Sequence, residues 1–365
     1  MVIAWPLFIV GIGLLLALDL LVLHRRARAE SVKAALLWSA VWVGLGLAFG
    51  VAVYLGYEYH WLGLGRGIDA IDGQVNDGRS AVIKYLTGYV LEKSLSADNL
   101  VVMALLFDFF AIPRIYQHRV LFYGIIGAVA LRGVMIVLGV ELLDHFHWVL
   151  YVFGAFLVVA ALRMLRTRAH EADFERHLFV RLVRRLSPIV SESHGGRFVV
   201  RLPAAESACA GADRNVAPDR HAAARAGRWM LTPLALALVV VEASDLVFAV
   251  DSIPAVLGVT ADPFLVFTSN VFAILGLRSL YFALAGMMAR FGHLRASLAV
   301  VLALVGVKML AGVWIEAVLG PWTTPCLLVA VLLILAAGVA WSVRRAGDVT
   351  GPAQPQCTGA PNAGP

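Results

Sequence analysis

Cysteine is scarce in this chain: 365 residues hold three, Cys209, Cys326 and Cys357. They show no pairing pattern and no metal-ligand spacing, which argues against a disulfide framework and a cysteine metal site. Charge is scarce as well. Asp, Glu, Lys and Arg make up 15% of the residues, against roughly 25% in a soluble domain. A Ser-His-Asp arrangement, a phosphate-binding P-loop and a dinucleotide fingerprint are missing too. Gly11-Ile12-Gly13 lies inside an apolar run and has no βαβ context. The sequence therefore reads as no enzyme, neither ATPase nor membrane hydrolase, and as needing no resident cofactor.

What is abundant is apolar. Hydrophobic residues make up 61% of the chain, with a mean hydropathy of +0.83. Runs of about 17–25 apolar residues, enough to cross ~30 Å of hydrocarbon, recur along almost the whole length. They predict an all-α polytopic membrane protein with about nine transmembrane helices, near 3–23, 34–57, 85–107, 119–140, 148–165, 231–251, 264–284, 297–315 and 323–343. The first run lacks a basic leader and a small-residue cleavage site, so it reads as a span rather than a removable signal. The pI near 9.4 suggests nucleic acid, but the cations sit in loops between apolar runs, which fits membrane orientation instead. Loops after odd-numbered spans hold 23 Lys and Arg and those after even-numbered spans hold 3. The positive-inside rule then puts the N-terminus outside and the C-terminus in the cytoplasm.

Four cations remain inside spans, Lys93, Arg132, Arg278 and Lys308, and their positions expose a repeat. Glu92 and Glu242 are 150 residues apart, Arg132 and Arg278 are 146 apart, and Arg163 and Lys308 are 145 apart. Three spans per unit is an odd number, so the second copy must lie inverted in the membrane. Such inverted repeats place a binding site near mid-membrane, at the repeat interface. The expected organisation is a transmembrane domain over 1–343, with inverted 3+3 repeats at about 85–165 and 231–315 and a cytoplasmic loop at 166–229. Ala204 to Arg228 within that loop is Ala/Arg-rich, and residues 344–365 read as a disordered cytoplasmic tail.

Six acids fall in or beside spans: Asp19, Glu92, Asp98, Glu242, Asp245 and Asp251. A central acid costs roughly 2.5–3.5 kcal/mol on insertion scales, so each needs a partner or a role. Glu242 and Asp245, at i and i+3, share one helix face. Pro254 points to an interrupted helix near Asp251, where an unwound turn would free carbonyl oxygens. Carboxylates with Ser, Asn and backbone oxygens suit hard cations such as Mn²⁺, Mg²⁺ or Ca²⁺. Two other readings stand beside this one. The acids can pair with the four buried cations to fix helix packing, or relay protons alone. His145 and His147 read as solvated, and Met103, Met135 and Met309 as lipid or core contacts.

Two stretches, Gly88-Tyr89-Val90-Leu91-Glu92-Lys93-Ser94-Leu95-Ser96-Ala97-Asp98-Asn99 and Val241-Glu242-Ala243-Ser244-Asp245 through Asp251-Ser252-Ile253-Pro254-Ala255, resemble the two hallmark motifs of the TerC/Alx family. Tyr116 to Phe122 and Phe267 to Arg278 resemble the family as well, and the likeness runs over roughly residues 14–343. It implies a bacterial inner-membrane protein of the wider LysE-like transporter group, named for tellurium resistance and linked in several members to manganese export. By motif match it implies Glu92, Asp98, Asn99, Glu242, Asp245 and Asp251 as ion-site residues, with Asp19 as an accessory.

The expectation is thus a divalent cation transporter exporting Mn²⁺, with the lipid bilayer and the metal ion as partners and no nucleic acid. The alternatives are an oxyanion (tellurite) resistance protein relying on the four buried cations, and a non-transporting scaffold recruiting cytoplasmic proteins through 166–229.

Overall fold

The computed structural model describes residues 3–18, 32–110, 112–166, 198–201, 229–285 and 294–348. Asp19, the basic run after it, the Ala/Arg-rich stretch 204–228 and the tail from 349 onward lie outside the described residues. The helices are α1 (Ala4–Leu18), α2 (Val32–Glu58), α3 (Gly78–Phe109), α4 (Arg114–His145), α5 (Val149–Arg166), α6 (Pro233–Leu257), α7 (Pro263–Ile274), α8 (Leu277–Ala285), α9 (Leu294–Leu310), α10 (Gly312–Leu319) and α11 (Thr323–Asp348). Two three-residue strands, Val199–Arg201 and Trp229–Leu231, pair antiparallel. They were not expected from the helical pattern and are too short to leave a period of their own.

Among the described residues, six segments are long and apolar enough to cross a membrane: α2, α4, α5, α6, the α7–α8 pair and the α10–α11 stretch. Helices α1 and α9 are shorter and apolar. Helix α3 is 32 residues long but carries Glu92, Lys93 and Asp98 in its middle. With these three the described residues hold the nine segments that the apolar runs predict. Polarity is distributed as lipid requires. Leu138, Val159 and Leu333 on the outer surface are more than 60% exposed, whereas Glu92 and Arg132 are 0% and 1% exposed. In water such exposed apolar side chains around buried charges would be unfavourable, whereas in hydrocarbon the arrangement is the favourable one.

Helix α3 packs along α7, and α4 along α6. Gly88 meets Ser269 while Lys93 reaches Ala273, so α3 and α7 run parallel. Gly124 meets Val241 and Gly139 meets Leu257, so α4 and α6 are parallel too. Helices α5 and α9 cross antiparallel where Gly154 and Gly306 face each other, since small residues let two backbones approach. Exchanging the α3–α5 unit with the α6–α9 unit converts the α3–α7 pair into the α6–α4 pair and leaves α5–α9 on itself.

Start and stop signals explain the second unit. Thr232 caps α6 and Asp262 caps α7, each followed by a proline at the first helical position. The interruption expected near Asp251 is not there: α6 runs through Asp251 and Pro254 to Leu257. Pro254 falls in the last turn, where it forfeits one backbone bond, and residues 252–257 are all buried. The broken span is the next one. Between α7 and α8 the chain turns at Gly276, with φ +81°, a conformation that costs a residue with a Cβ about 1–2 kcal/mol. A Cβ there would also sit 2.6 Å from Cβ of Trp42. Gly276→Ala is expected to lower abundance and detergent thermostability well beyond Gly73→Ala. Gly73 also has positive φ (+66°) but has nothing within 4 Å. Size-exclusion profiles after heating would separate the two, and equal losses would show that the Trp42 contact does not matter.

Candidate functional site

Glu92 and Ser96 lie one turn apart on α3, and the Ser96 hydroxyl donates to Glu92 Oε1 at 3.0 Å. The same oxygen receives Nη1 of Arg132 from α4. Arg132 reaches across to α6 as well. Its Nη2 donates to Asp245 Oδ1 at 3.1 Å, and its Nε donates to Asp245 Oδ2 at 3.4 Å. Nη1 also approaches Ser252 Oγ at 3.3 Å and Asn270 Oδ1 on α7 at 3.4 Å. One guanidinium thus gathers oxygens from α3, α6 and α7 at a point where every contributing side chain is buried. Among the described residues the formal charge there is one cation against two carboxylates. Glu92 Oε2 is buried and has no hydrogen-bond partner among the described residues.

The other expected residues are dispersed. Asn99 is buried on α3, two turns beyond Glu92. Glu242 is one turn before Asp245, but its carboxylate lies against Gly127 on α4, where a Cβ would overlap it, and not among the oxygens that hold Arg132. Asp251 is partly buried and feels the charge of Arg163 on α5. The side chain of Asp98 and all of Asp19 lie outside the described residues. Among the described residues no group of three or more His, Cys, Asp or Glu is placed to hold a metal. The convergent set is Glu92, Ser96, Arg132, Asp245, Ser252 and Asn270. Arg132, Ser96, Ser252 and Asn270 were not on the metal-site list drawn from the sequence. A lone arginine inside an apolar span was the available signal for the first, whereas the hydroxyls and the amide give none until the helices are assembled.

The remaining intramembrane lysines hold backbone carbonyls. Lys93 Nζ donates to Ala273 O at 3.0 Å and to Leu275 O at 3.3 Å, taking up oxygens freed by the break before α8. Lys308 Nζ donates to Gly258 O at 2.9 Å, at the end of α6.

A second polar cluster closes the end of the bundle that carries residues 59–77. Asp69 is buried and paired with Lys84 at 2.9 Å, and it accepts from Ala261 N at 2.9 Å and from the Thr260 hydroxyl. Lys84 also meets Asp72 at 2.7 Å and donates to Asn76 Oδ1 at 2.6 Å. Burial alone would raise the Asp69 carboxyl. The Lys84 charge, with hydrogen bonds from Lys84, Thr260 and Ala261, holds it below the ordinary carboxylate value. Asp262 goes the other way, raised by burial despite a 2.8 Å hydrogen bond from the Tyr57 hydroxyl. Beside the cluster lies a cavity of about 530 Å³ bordered by Asp72, Asp77, Lys84, Lys308 and Glu316.

Comparison with known proteins gives this arrangement a family. Residues 77–348 match the model of the integral membrane protein TerC family. A Myxococcus xanthus membrane protein is 42% identical over 305 residues, covering 84% of this chain and 82% of that one. Proteins named "Putative membrane-bound redox modulator Alx" from Escherichia coli K12 and Photorhabdus laumondii are each 40% identical, over 84% of this chain and 85% of theirs. No solved structure matches. The match takes in α3 to α11, and with them every residue that converges on Arg132. This chain belongs to the TerC family of integral membrane proteins.

Proposed function

We propose that this protein carries a divalent metal cation, Mn²⁺ by preference, out of the cell through the junction of α3, α6 and α7. The observation that carries the reading is the convergence of Glu92 and Asp245 on one buried point. Each comes from the first helix of a repeat unit, and neutral oxygens of Ser96, Ser252 and Asn270 complete the set. Two carboxylates with hydroxyl and amide oxygens are a hard-cation donor set, and among the described residues no thiol or imidazole competes at that point. An excess of one negative charge deep in a membrane protein is costly unless something cationic visits it. Oxyanion handling is less well supported, because three of the four cations it needs are engaged apart from one another: Arg132 on carboxylates, Lys93 and Lys308 on separate carbonyls.

In this reading the two repeat units are inverted copies, the membrane is the bacterial inner membrane, and the 59–77 end faces outward. Elemental analysis of cells lacking their own Mn²⁺ exporter tests the function: expression of the protein should lower cell Mn, and unchanged Mn content would overturn it. Orientation has its own test. In a cysteine-free background, Gln74→Cys, at an exposed position, should react with an impermeant thiol reagent on intact cells. Arg344→Cys, also exposed, should react only after lysis. The reverse pattern would invert the assignment.

A further inference from the structure

We propose that Arg132 is a built-in substitute for the transported ion: it fills the cation site of the ion-free protein and must withdraw from Glu92 and Asp245 when a dication enters. The inference rests on the transport reading above and says how that site is regulated. Its basis is the shell around the guanidinium. Arg132 is held by five oxygens, Glu92 Oε1, Asp245 Oδ1 and Oδ2, Ser252 Oγ and Asn270 Oδ1. All belong to helices other than its own, in type they are what a hard dication takes from a protein, and Glu92 Oε2 would bring them to six. Around an arginine part of the shell is loose: Glu92 Oε1 and Asp245 Oδ1 are held closely, but the Nε, Ser252 and Asn270 contacts lie between 3.3 and 3.4 Å, the long end for hydrogen bonds. Glu92 Oε2 is left over, buried and with no donor among the described residues. A guanidinium leaves that lone pair unused, whereas a dication coordinated by both carboxylates would use it.

Charge sets the exchange. With Arg132 in place the described side chains of the site total minus one, and with a dication in its stead the two carboxylates would be neutralised while the displaced guanidinium kept its charge. With neither, two carboxylates would lie uncompensated in the bundle, a state costly enough to keep the empty protein from adopting it. Ion and arginine therefore compete for the same oxygens, so removing the arginine should tighten ion binding while slowing release.

Purified full-length protein and Mn²⁺ alone are the materials for the test, with free Mn²⁺ read by electron paramagnetic resonance. Arg132→Gln is expected to bind Mn²⁺ at least about tenfold more tightly than wild type, equivalent to about 1.4 kcal/mol, and to show little efflux. Because that variant strands two carboxylates, it is to be expressed with and without added Mn²⁺, and its recovery should depend on the metal. Arg132→Lys keeps one charge but cannot span both carboxylates, and its affinity should fall between the two. Equal or weaker Mn²⁺ binding by both variants, with wild type binding normally, would overturn the competition. Failure of Arg132→Gln to accumulate even with Mn²⁺, together with unchanged affinity in Arg132→Lys, would also overturn it. Absence of Mn²⁺ binding and efflux in wild type would instead remove the transport reading itself.

Discussion

Neutralising either Glu92 or Asp245 is expected to abolish Mn²⁺ efflux while leaving the amount of protein in the membrane close to wild type. The reason is the charge count at Arg132. Glu92→Gln leaves Arg132 paired with Asp245 through Nη2 at 3.1 Å and Nε at 3.4 Å. Asp245→Asn leaves it paired with Glu92. Either single change removes the negative excess that attracts a dication but keeps a neutral ion pair, so the fold loses little. The double change is different: it strands a guanidinium whose side chain is 1% exposed, and breaking a buried pair by removing its partners costs roughly 3–5 kcal/mol. Abundance should then fall. Immunoblots of membranes beside cell Mn measurements distinguish the cases, and full efflux in both single variants would end the case for this site. Glu242→Gln is the internal comparison: Glu242 is one turn away on the same face, but it lies on Gly127 outside the Arg132 shell. Its neutralisation should reduce efflux less than either of the others.

Asp69→Asn is expected to be the most damaging conservative change in the loop joining α2 to α3. It removes one of two carboxylates on buried Lys84, and Asp72 at 2.7 Å retains part of the pairing. The cost should therefore lie near the lower end of the range for a broken buried pair, about 3 kcal/mol, and lower the detergent unfolding midpoint by several degrees at neutral pH. The pH dependence has a definite sign. Asp69 titrates below its ordinary value in the folded protein, so its contribution is fully present above the unfolded carboxylate value and is lost as pH falls through the folded one. The gap between wild type and Asp69→Asn should close on acidification. Asp262, raised in the folded protein, acts oppositely: its contribution is complete at low pH and fades as pH rises through its folded value. A gap that widened in acid would contradict the Asp69–Lys84 assignment.

Much of the bundle could be read from the chain because lipid imposes a one-dimensional code: a helix must be apolar for its whole length, and that shows in any window. The same code marks Glu92, Arg132 and Asp245 as exceptions. Which exceptions meet is another matter. Glu242 and Asp245 look equivalent as letters three apart, yet the close approach of α4 at Gly127 takes one aside and Arg132 takes the other. The helix break lies elsewhere than the sequence suggests for a similar reason. Proline is a conspicuous breaker, but Pro254 falls where α6 is ending anyway, while the break at Gly276 is sustained by Lys93, 182 residues before Leu275, which donates to the freed carbonyl. Asp69 sits in a polar loop, and nothing local distinguishes it from Asp72 or Asp77. Its burial depends on Thr260 and Ala261 arriving from the far half of the chain.

Those long-range links have a consequence for assembly. Lys93 closes the end of α7, Arg132 neutralises Asp245, and the Tyr57 hydroxyl meets Asp262. In these three the first half of the chain supplies a group that the second half requires, and at Asp69 the second half returns the donors of Thr260 and Ala261. Helices α6 to α8 inserted alone would hold an unpaired acid and an open helix end within hydrocarbon, and α3 with α4 alone would hold an ammonium without its carbonyls. The single chain thus behaves as a fused heterodimer whose subunits are not viable apart. During synthesis the first half must wait in the membrane, incompletely satisfied, until the second is delivered.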